Sequence, residues 1–254
     1  MDKVINKILI FTVMIAAIAL VMTGCDNSKN NSEKLVFGTN AEFPPFEFHS
    51  SKGIVSNFDG IDIAIAKNIT EAIGKTIEIS NMEFDSILIA LQNGQIDAAI
   101  AGLTVTDERA EAVDFSKPYY NATQVMIVKE GSDIKKAADM DGKTIAVVHG
   151  YTGQTCIKKL GFEKSMVSFK TGTECVMELL NGKCEVVVID SATAKNYIAE
   201  NKGLVIVEDN EAFLSEKYAI AVKKGNQELL NKINAAIDSM NASNTIELIA
   251  TRYL

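Results

Sequence analysis

From about residue 34 onward, short runs of apolar residues alternate with longer segments whose apolar positions recur every three or four residues. The first pattern indicates buried strands and the second indicates amphipathic helices. Strands are predicted at residues 34–39, 76–82, 96–101, 125–131, 143–148, 166–169, 184–190, 204–208 and 218–224. Helices are predicted at residues 58–74, 84–94, 152–161, 173–182 and 191–201, with two more closing the chain. This alternation is typical of an α/β fold with mainly parallel strands.

Two segments repeat one plan, an apolar helix followed by an Asn-Gly stop, a two-residue turn and a buried strand. They are ILIALQNGQIDAAIAGL (87–103) and CVMELLNGKCEVVVIDS (175–191). A chance similarity between two strand–helix units would look the same. We nevertheless predict two lobes of like design, at residues 34–127 and 128–221.

Residues 222–254 carry further apolar helical faces, which need a surface to pack against. The simplest arrangement returns this segment to the first lobe. The chain then crosses between the lobes twice, and the similar runs VMIVKEG (125–131) and YAIAVKKG (218–225) are the predicted crossings. Two adjacent crossings form a hinge, and the space between the lobes forms a cleft.

The start of the chain has the pattern of an export signal. Lys3 and Lys7 precede a largely apolar stretch, residues 8–22, that is short for a membrane span and typical of a signal-peptide core. Residues 1–24 are therefore predicted to be removed. Gly24 and Cys25, followed by a polar tether to residue 33, resemble a bacterial lipoprotein signal, in which the cysteine carries the lipid. The alternative is an ordinary signal peptide with an incidental cysteine.

Charge and cysteine content narrow the class of partner. The net charge is −8 and no basic cluster occurs, which argues against a nucleic-acid partner. Beyond Cys25 the chain has Cys156, Cys175 and Cys184, and none lies in a CxxC pair or beside a histidine at ligand spacing. We therefore expect no metal and no cofactor. The three cysteines are expected to be small buried residues, and a disulfide between two of them stays open.

Arg109 follows a predicted strand and lies in the first turn of a predicted helix. Thr104 to Asp107 match a capping box, so a helix is expected to start there with free N–H groups that favour an anion. An arginine beside them could grip a carboxylate with two parallel hydrogen bonds. The alternative is a surface ion pair with an acid at position 108, 111 or 114.

Asp190 ends a run of apolar residues and precedes a helix. A helix N-cap is the slightly favoured interpretation, and contact with an ammonium group across the cleft is the alternative. Phe43 and Phe84 could bracket a ligand side chain, although each could equally be a core residue. The chain has only two histidines and no nucleophile pattern beside them, so catalysis has little support. One cation, one anion and aromatic groups would suit a zwitterion.

The chain resembles the polar amino-acid substrate-binding proteins of ABC importers. The similarity covers residues 34–254 and is carried by GTNAEFPPFEF (38–48), NFDGIDIAIAKNI (57–69), FDSILIALQNGQIDAAIAG (84–102), LTVTDERAEAVDFSKPYY (103–120) and GKTIAVVHGYTGQ (142–154). It implies an α/β, two-lobe periplasmic-binding-protein-like (type II) fold with two hinge strands and a central ligand cleft. Such proteins close on their ligand by hinge motion and deliver it to a permease.

By the same resemblance, the α-carboxylate of the ligand falls on Arg109 and the α-ammonium on Asp190. Further contacts fall on the following residues: Phe43, Phe84, Ala101, Gly102, Thr104, Gly150 and Thr152. Many relatives have aspartate where this chain has Asn40, and Tyr151 replaces an expected serine or threonine. Glu42 is expected to supply the negative charge that Asn40 lacks, so a basic, arginine- or lysine-like ligand is favoured.

Several alternatives remain at this stage. The ligand could be cystine, cysteine or glutamine. A dehydratase or lyase on the same fold is a further possibility, although such enzymes usually carry an added domain, and a sensor lobe is a third. We expect a monomeric, non-enzymatic importer subunit on the outer face of the cytoplasmic membrane, with a free L-amino acid and a permease as partners, in a Gram-positive bacterium.

Overall fold

A computed structural model of the chain describes residues 34–254. Thirteen strands form three sheets in this part of the chain. The strands are β1 (Lys34–Thr39), β2 (Glu42–Phe43), β3 (Glu47–His49), β4 (Phe58–Asp59), β5 (Thr76–Asn81), β6 (Ala98–Ala99), β7 (Val113–Ala122), β8 (Gln124–Lys129), β9 (Ile145–Val148), β10 (Met166–Phe169), β11 (Val186–Asp190), β12 (Leu204–Val207) and β13 (Glu216–Lys223).

Eight α-helices accompany the strands of residues 34–254, together with two short 3₁₀ helices at Ala137–Met140 and Glu163–Ser165. The α-helices are α1 (Ile61–Ile73), α2 (Phe84–Gln92), α3 (Asp107–Ala112), α4 (Thr152–Lys159), α5 (Gly172–Leu180), α6 (Ser191–Glu200), α7 (Gln227–Ala242) and α8 (Thr245–Tyr253). None of these helices is long and apolar enough to cross a membrane. The predicted signal peptide, Cys25 and the tether lie outside the described residues.

The two large sheets share one plan. Their strand orders are β5-β1-β6-β13-β7 and β10-β9-β11-β8-β12. In the first, β6 pairs parallel with β1 and antiparallel with β13, and in the second, β11 pairs parallel with β9 and antiparallel with β8. The strands β6 and β11 are those that follow the two Asn-Gly stops, so the repeat in the sequence corresponds to a repeat in topology.

The fold is the predicted α/β architecture of two lobes, one around each large sheet. The expectation of mainly parallel strands is wrong, because β8 pairs antiparallel with β11 and β12, and β13 pairs antiparallel with β6 and β7. Apolar residues of the central strands fill the cores, including Phe37 and Ile100 in the first sheet and Val147 and Val188 in the second. Helices α7 and α8, at the end of the chain, pack with α1 beside the first sheet. The exact lobe boundaries stay a prediction.

The chain passes between the two sheets twice, close to the predicted positions. The first passage is short, because β7 ends at Ala122 in the first sheet and β8 begins at Gln124 in the second. The second is the segment 208–215, between β12 and β13. The runs 125–131 and 218–225 were themselves expected to be the crossings between the lobes. Each instead lies in one sheet, because its backbone pairs with strands of that sheet alone.

Candidate functional site

An inner cavity lies where the carboxyl ends of β6, β9 and β11 face each other, which is where α/β sheets bind ligands. It is partly open to solvent and narrow, with room for about one water molecule (about 10 Å³). Its lining consists of Phe43, Phe84, Ala101, Gly102, Thr104, Arg109, Tyr151, Thr152 and Asp190. Eight of these nine residues were predicted from the sequence, and Tyr151 was noted only as a departure from the family pattern. Phe84 and Arg109 also border a wider depression of about 480 Å³ outside the cavity.

Arg109 reaches from one sheet to the other. It lies in the short helix α3, and its guanidinium donates hydrogen bonds to the carbonyl oxygens of Thr104 (2.9 Å) and Gly150 (3.0 Å). The capping residue of α3 is Thr106, whose hydroxyl accepts from the N–H of Arg109. The expected capping box starting at Thr104 is wrong, because the backbone of Thr104 is held extended by a bridge to Tyr218.

The surroundings of Arg109 are those of a group prepared for an anion. Within residues 34–254, no carboxylate oxygen lies within 4 Å of its guanidinium, and Asp114 pairs with Lys224 instead. Burial lowers the pKa of Arg109, while the charges of Glu216 and Asp190 act in the opposite direction. The guanidinium also lies over the ring of Phe84, with 5.3 Å between its central carbon and the ring centroid. The surface ion pair considered above is therefore not formed.

Asp190 faces the cavity and does not cap the following helix. It occupies the N-cap position of α6, but its side chain makes no capping hydrogen bond. Its carboxylate accepts a hydrogen bond from the hydroxyl of Tyr218. Burial, followed by the charge of Glu216, raises the pKa of Asp190 to about 7, although the hydrogen bond from Tyr218 opposes the shift. The slightly favoured interpretation of Asp190 as a cap is thus wrong.

Three aromatic rings form one wall of the cavity. Tyr151 packs edge-on against Phe43, with 5.3 Å between centroids, and tilted against Phe84, with 4.6 Å. The Tyr151 side chain therefore occupies the space between the two phenylalanines that were predicted to bracket a ligand. Sequence reasoning missed this, because Tyr151 was compared only with the hydroxyl residue that it replaces.

Three predicted site residues do not line the cavity. Asn40 is buried behind it, where its amide donates to the carbonyl of Met82 and its side-chain oxygen lies 3.4 Å from the Tyr151 hydroxyl. Glu42 is exposed on β2. Gly150 contributes only its carbonyl oxygen, to Arg109. Glu42 consequently does not supply the negative charge that was expected from it within the cavity.

A second acid close to Asp190, Glu216, is a residue that sequence reasoning missed. Glu216 begins β13 and its carboxylate accepts hydrogen bonds from the hydroxyls of Thr104 (2.8 Å) and Thr152 (2.7 Å). Gln124 approaches the same oxygen at 3.4 Å. The sequence signal is weak, since Glu216 lies 112 residues beyond Thr104 in a polar segment that is typical of a solvated loop.

A pair of buried acids supports the cavity floor. Asp62 accepts hydrogen bonds from the N–H of Gly102 (2.7 Å) and from the hydroxyl of Tyr119 (2.8 Å). Burial raises the pKa of Asp62 to about 6 and raises that of the neighbouring Glu47 well above its usual range. Gly102 adopts a φ of +51°, and a β-carbon there would lie 2.6 Å from the Phe43 ring. Both features fix the backbone at the end of β6.

Within residues 34–254, no cysteine or histidine is among the residues that line this cavity. Cys156, Cys175 and Cys184 are free thiols, and burial raises the pKa of each. Among residues 34–254, no group of three or more His, Cys, Asp or Glu side chains is arranged to hold a metal ion.

Residues 35–254 match the model of one protein family, described as bacterial extracellular solute-binding proteins, family 3. Sequence relatives include a probable histidine-binding protein of Neisseria gonorrhoeae, 34% identical over 85% of this chain and 81% of the relative. Another is the arginine-binding extracellular protein ArtP of Bacillus subtilis, 31% identical over 94% of each chain.

Solved structures agree in fold. The arginine-, lysine-, histidine-binding protein ArtJ from Geobacillus stearothermophilus superposes with a TM-score of 0.81, at 37% identity, over 87% of this chain and 95% of its own. An ancestral arginine-binding protein bound to glutamine gives a TM-score of 0.81 at 40% identity, over 87% of this chain and 98% of its own.

Proposed function

The chain belongs to family 3 of the bacterial extracellular solute-binding proteins, and we propose that it captures a polar L-amino acid for an ABC importer. The observation that carries the proposal is the placement of Arg109 and Asp190 on one narrow cavity. A guanidinium without a carboxylate partner and a buried carboxylate suit the two charged ends of an amino acid. The α-carboxylate is assigned to Arg109 and the α-ammonium to Asp190, with Thr104, Thr152 and the backbone around Gly102 completing the contacts.

A basic side chain is the favoured ligand class. Glu216 adds a second acid near Asp190, behind the cavity lining, so the charges of two acids and one cation, Arg109, act at the site. Low-dielectric surroundings strengthen such charge effects, and a ligand with a net positive charge would balance them. Relatives described as arginine- and histidine-binding support the same class. Glutamine and cystine are the second choice, because glutamine-binding and cystine-binding relatives also occur.

Binding is proposed to involve hinge motion between the lobes 34–127 and 128–221, with 222–254 completing the first. The cavity has room for about one water molecule, so an amino acid enters only if the lobes part or the Tyr151 ring moves aside. The two short passages between the sheets are the segments where backbone rotation would open the cleft.

We further propose that the protein is a monomer held on the outer face of the cytoplasmic membrane by a lipid on Cys25, in a Gram-positive bacterium, and docks on a permease. The support is the sequence pattern before Cys25. Replacement of Cys25 by Ala is expected to release the protein into the medium of an expressing culture. A protein that stays with the membrane after this change would contradict the lipid anchor.

A melting-temperature screen of the ligand-free protein against the common L-amino acids and cystine tests the function. A ligand that binds only the folded state raises stability by about 2.7 kcal/mol at a concentration of 100 Kd. We expect the largest shifts from arginine, lysine or histidine, and isothermal titration calorimetry then gives the affinity. Absence of a shift with every amino acid would contradict amino-acid capture.

A further inference from the structure

The Glu216 carboxylate joins the two sides of the cavity behind the ligand-facing surface. Thr104 follows β6 in the first sheet, and Thr152 begins α4 beside the second sheet. Both hydroxyls lie at hydrogen-bond distance from the same Glu216 oxygen, at 2.8 and 2.7 Å. An ionised carboxylate can only accept hydrogen bonds, so each threonine must be the donor in these contacts.

This fixes what the two hydroxyls can offer on their other side. A threonine hydroxyl has one proton and two lone pairs, and in both residues the proton is used for Glu216. Thr152 also accepts from the Gln124 amide at 3.2 Å, which leaves it one lone pair, whereas Thr104 keeps two. Towards the cavity, both hydroxyls are therefore acceptors and not donors.

The acceptors lie in the same cavity as the Asp190 carboxylate and the Arg109 guanidinium. An ammonium group has three donors and no acceptor, so it matches Asp190 and the two threonine oxygens. A carboxylate would find no hydroxyl proton on either threonine, so Arg109 is the side chain that would hold it.

We propose that Glu216 is a positioning residue that turns the Thr104 and Thr152 hydroxyls into acceptors for the α-ammonium of the ligand. The inference rests on the proposed function, which supplies the amino-acid ligand. It gives Glu216 a role in discriminating an α-amino acid from an analogue with a neutral group at the same carbon.

The discriminating variant is Glu216→Leu. A leucine side chain cannot accept hydrogen bonds, so both threonine protons are freed to point into the cavity, whereas the amide oxygen of a glutamine could still accept from both hydroxyls. L-arginine and its analogue with an α-hydroxyl in place of the α-ammonium are the two probes. Calorimetry, or competition at high analogue concentration, gives the ratio of their affinities. We expect this ratio to fall at least about tenfold in Glu216→Leu, since hydrogen bonds to charged groups are the strong ones.

Controls separate this role from stability and net charge. Glu211→Leu makes the same substitution at an exposed position in the segment that precedes β13 and is expected to leave the ratio unchanged. Glu216→Asp keeps the carboxylate and is expected to retain part of the discrimination. If Glu216→Leu does not fold, Thr152→Val removes one acceptor and is expected to weaken L-arginine more than the analogue.

The outcomes are distinguishable. An equal loss for both probes in Glu216→Leu, or no loss, overturns the assigned role while the proposed function stands. The same fall in Glu211→Leu overturns it as well, because the effect is then one of net charge. A wild-type protein that does not bind L-arginine contradicts the basic-ligand proposal and the inference with it.

Discussion

At the level of single residues, burial without a matched counter-charge is the common property of the site. Arg109 is held by carbonyl oxygens and not by an acid. Asp190 and Asp62 are held by hydroxyl and amide donors and not by a cation. Charged groups of this kind cost free energy in the folded protein, and a partner of opposite charge would recover part of it. Under the proposed function, the ligand would supply the opposite charges that Arg109 and Asp190 lack.

Replacement of Arg109 by Ala is expected to weaken amino-acid binding by about 2–5 kcal/mol, because the α-carboxylate would be left buried without its partner. Arg109→Lys is expected to recover only part of the affinity, since an ammonium cannot form two parallel hydrogen bonds. Calorimetry with the amino acid identified in the screen measures both. Arg252→Ala, at an exposed position in α8, is the matched control and should bind normally. Unchanged affinity in Arg109→Ala would remove Arg109 from the site.

Replacement of Glu47 by Gln is expected to stabilise the ligand-free protein, and more so as the pH rises. Both carboxylate oxygens of Glu47 are buried and receive no hydrogen bond from the described residues, and only a protonated Glu47 can donate to the neighbouring Asp62 carboxylate. Burial raises the pKa of Glu47, so its ionised form penalises the folded state at high pH. Thermal melts at pH 6 and pH 9 test this, with Glu211→Gln as the control. A destabilisation that is equal at both pH values would contradict the expectation.

At the level of elements, the pattern of apolar residues was sufficient to predict a strand or helix where the segment is buried by neighbouring elements. The strands β1 and β10 were predicted with their observed bounds, and the main helices to within a few residues. Strand β7 was missed, because its ten residues mix charged and polar positions and include Pro118. It forms the edge of the first sheet, the position where a sheet tolerates proline. A pattern of apolar residues predicts buried strands, and an edge strand has fewer buried positions.

The dependence on local pattern also explains which site residues could be predicted. Arg109 and Asp190 were candidates because one lies at a helix start after an apolar strand and the other ends an apolar strand, and the family resemblance implied their roles. Glu216 and Tyr151 could not be predicted, since their roles depend on contacts with residues more than 60 positions away, such as Thr152 and Asn40. Such pairings are set by the way the two sheets face each other, and local pattern carries no information on that.

The two Asn-Gly stops give a prediction about equivalent elements. Gly94 and Gly182 both adopt a φ of +72°, and an added β-carbon would meet no atom within 3.4 Å at either position. Substitution by Ala is therefore expected to cost about 1–2 kcal/mol of backbone strain at each site, and by Asn less. Denaturant unfolding measures the change. Markedly different costs at the two sites would indicate that the repeated units are not equivalent in energy.

At the level of the whole molecule, the buried acids link stability to pH. Asp62 and Asp190 have pKa values raised to about 6 and about 7, above those of an unfolded chain. The folded state therefore holds these protons to a higher pH than the unfolded state. The resulting stabilisation is complete at acidic pH and is lost as the pH rises through 6 to 7. Asp114 and Asp209 have lowered pKa values. Their contribution to stability has the opposite pH dependence, and it changes at pH values below this range.

The melting temperature of the ligand-free protein is accordingly expected to fall between pH 5 and pH 8. Amino-acid affinity should follow the opposite course, because protonated Asp190 cannot pair with an ammonium group. Melts and titrations across this range check both trends, and the matched variant Asp190→Asn should flatten the affinity profile. A melting temperature that rises steadily from pH 5 to pH 8 would contradict the assignment.

The order of strands along the chain has an evolutionary consequence. All five strands of the second sheet, β8 to β12, come from one uninterrupted stretch, Gln124 to Val207, whereas the first sheet is assembled from both ends of the described chain. A single recombination event that exchanges this stretch would replace Thr152 and Asp190 together and leave Arg109 untouched. Three of the nine residues that line the cavity are thus encoded in one continuous stretch, so new specificities can arise by exchange between genes as well as by point substitution.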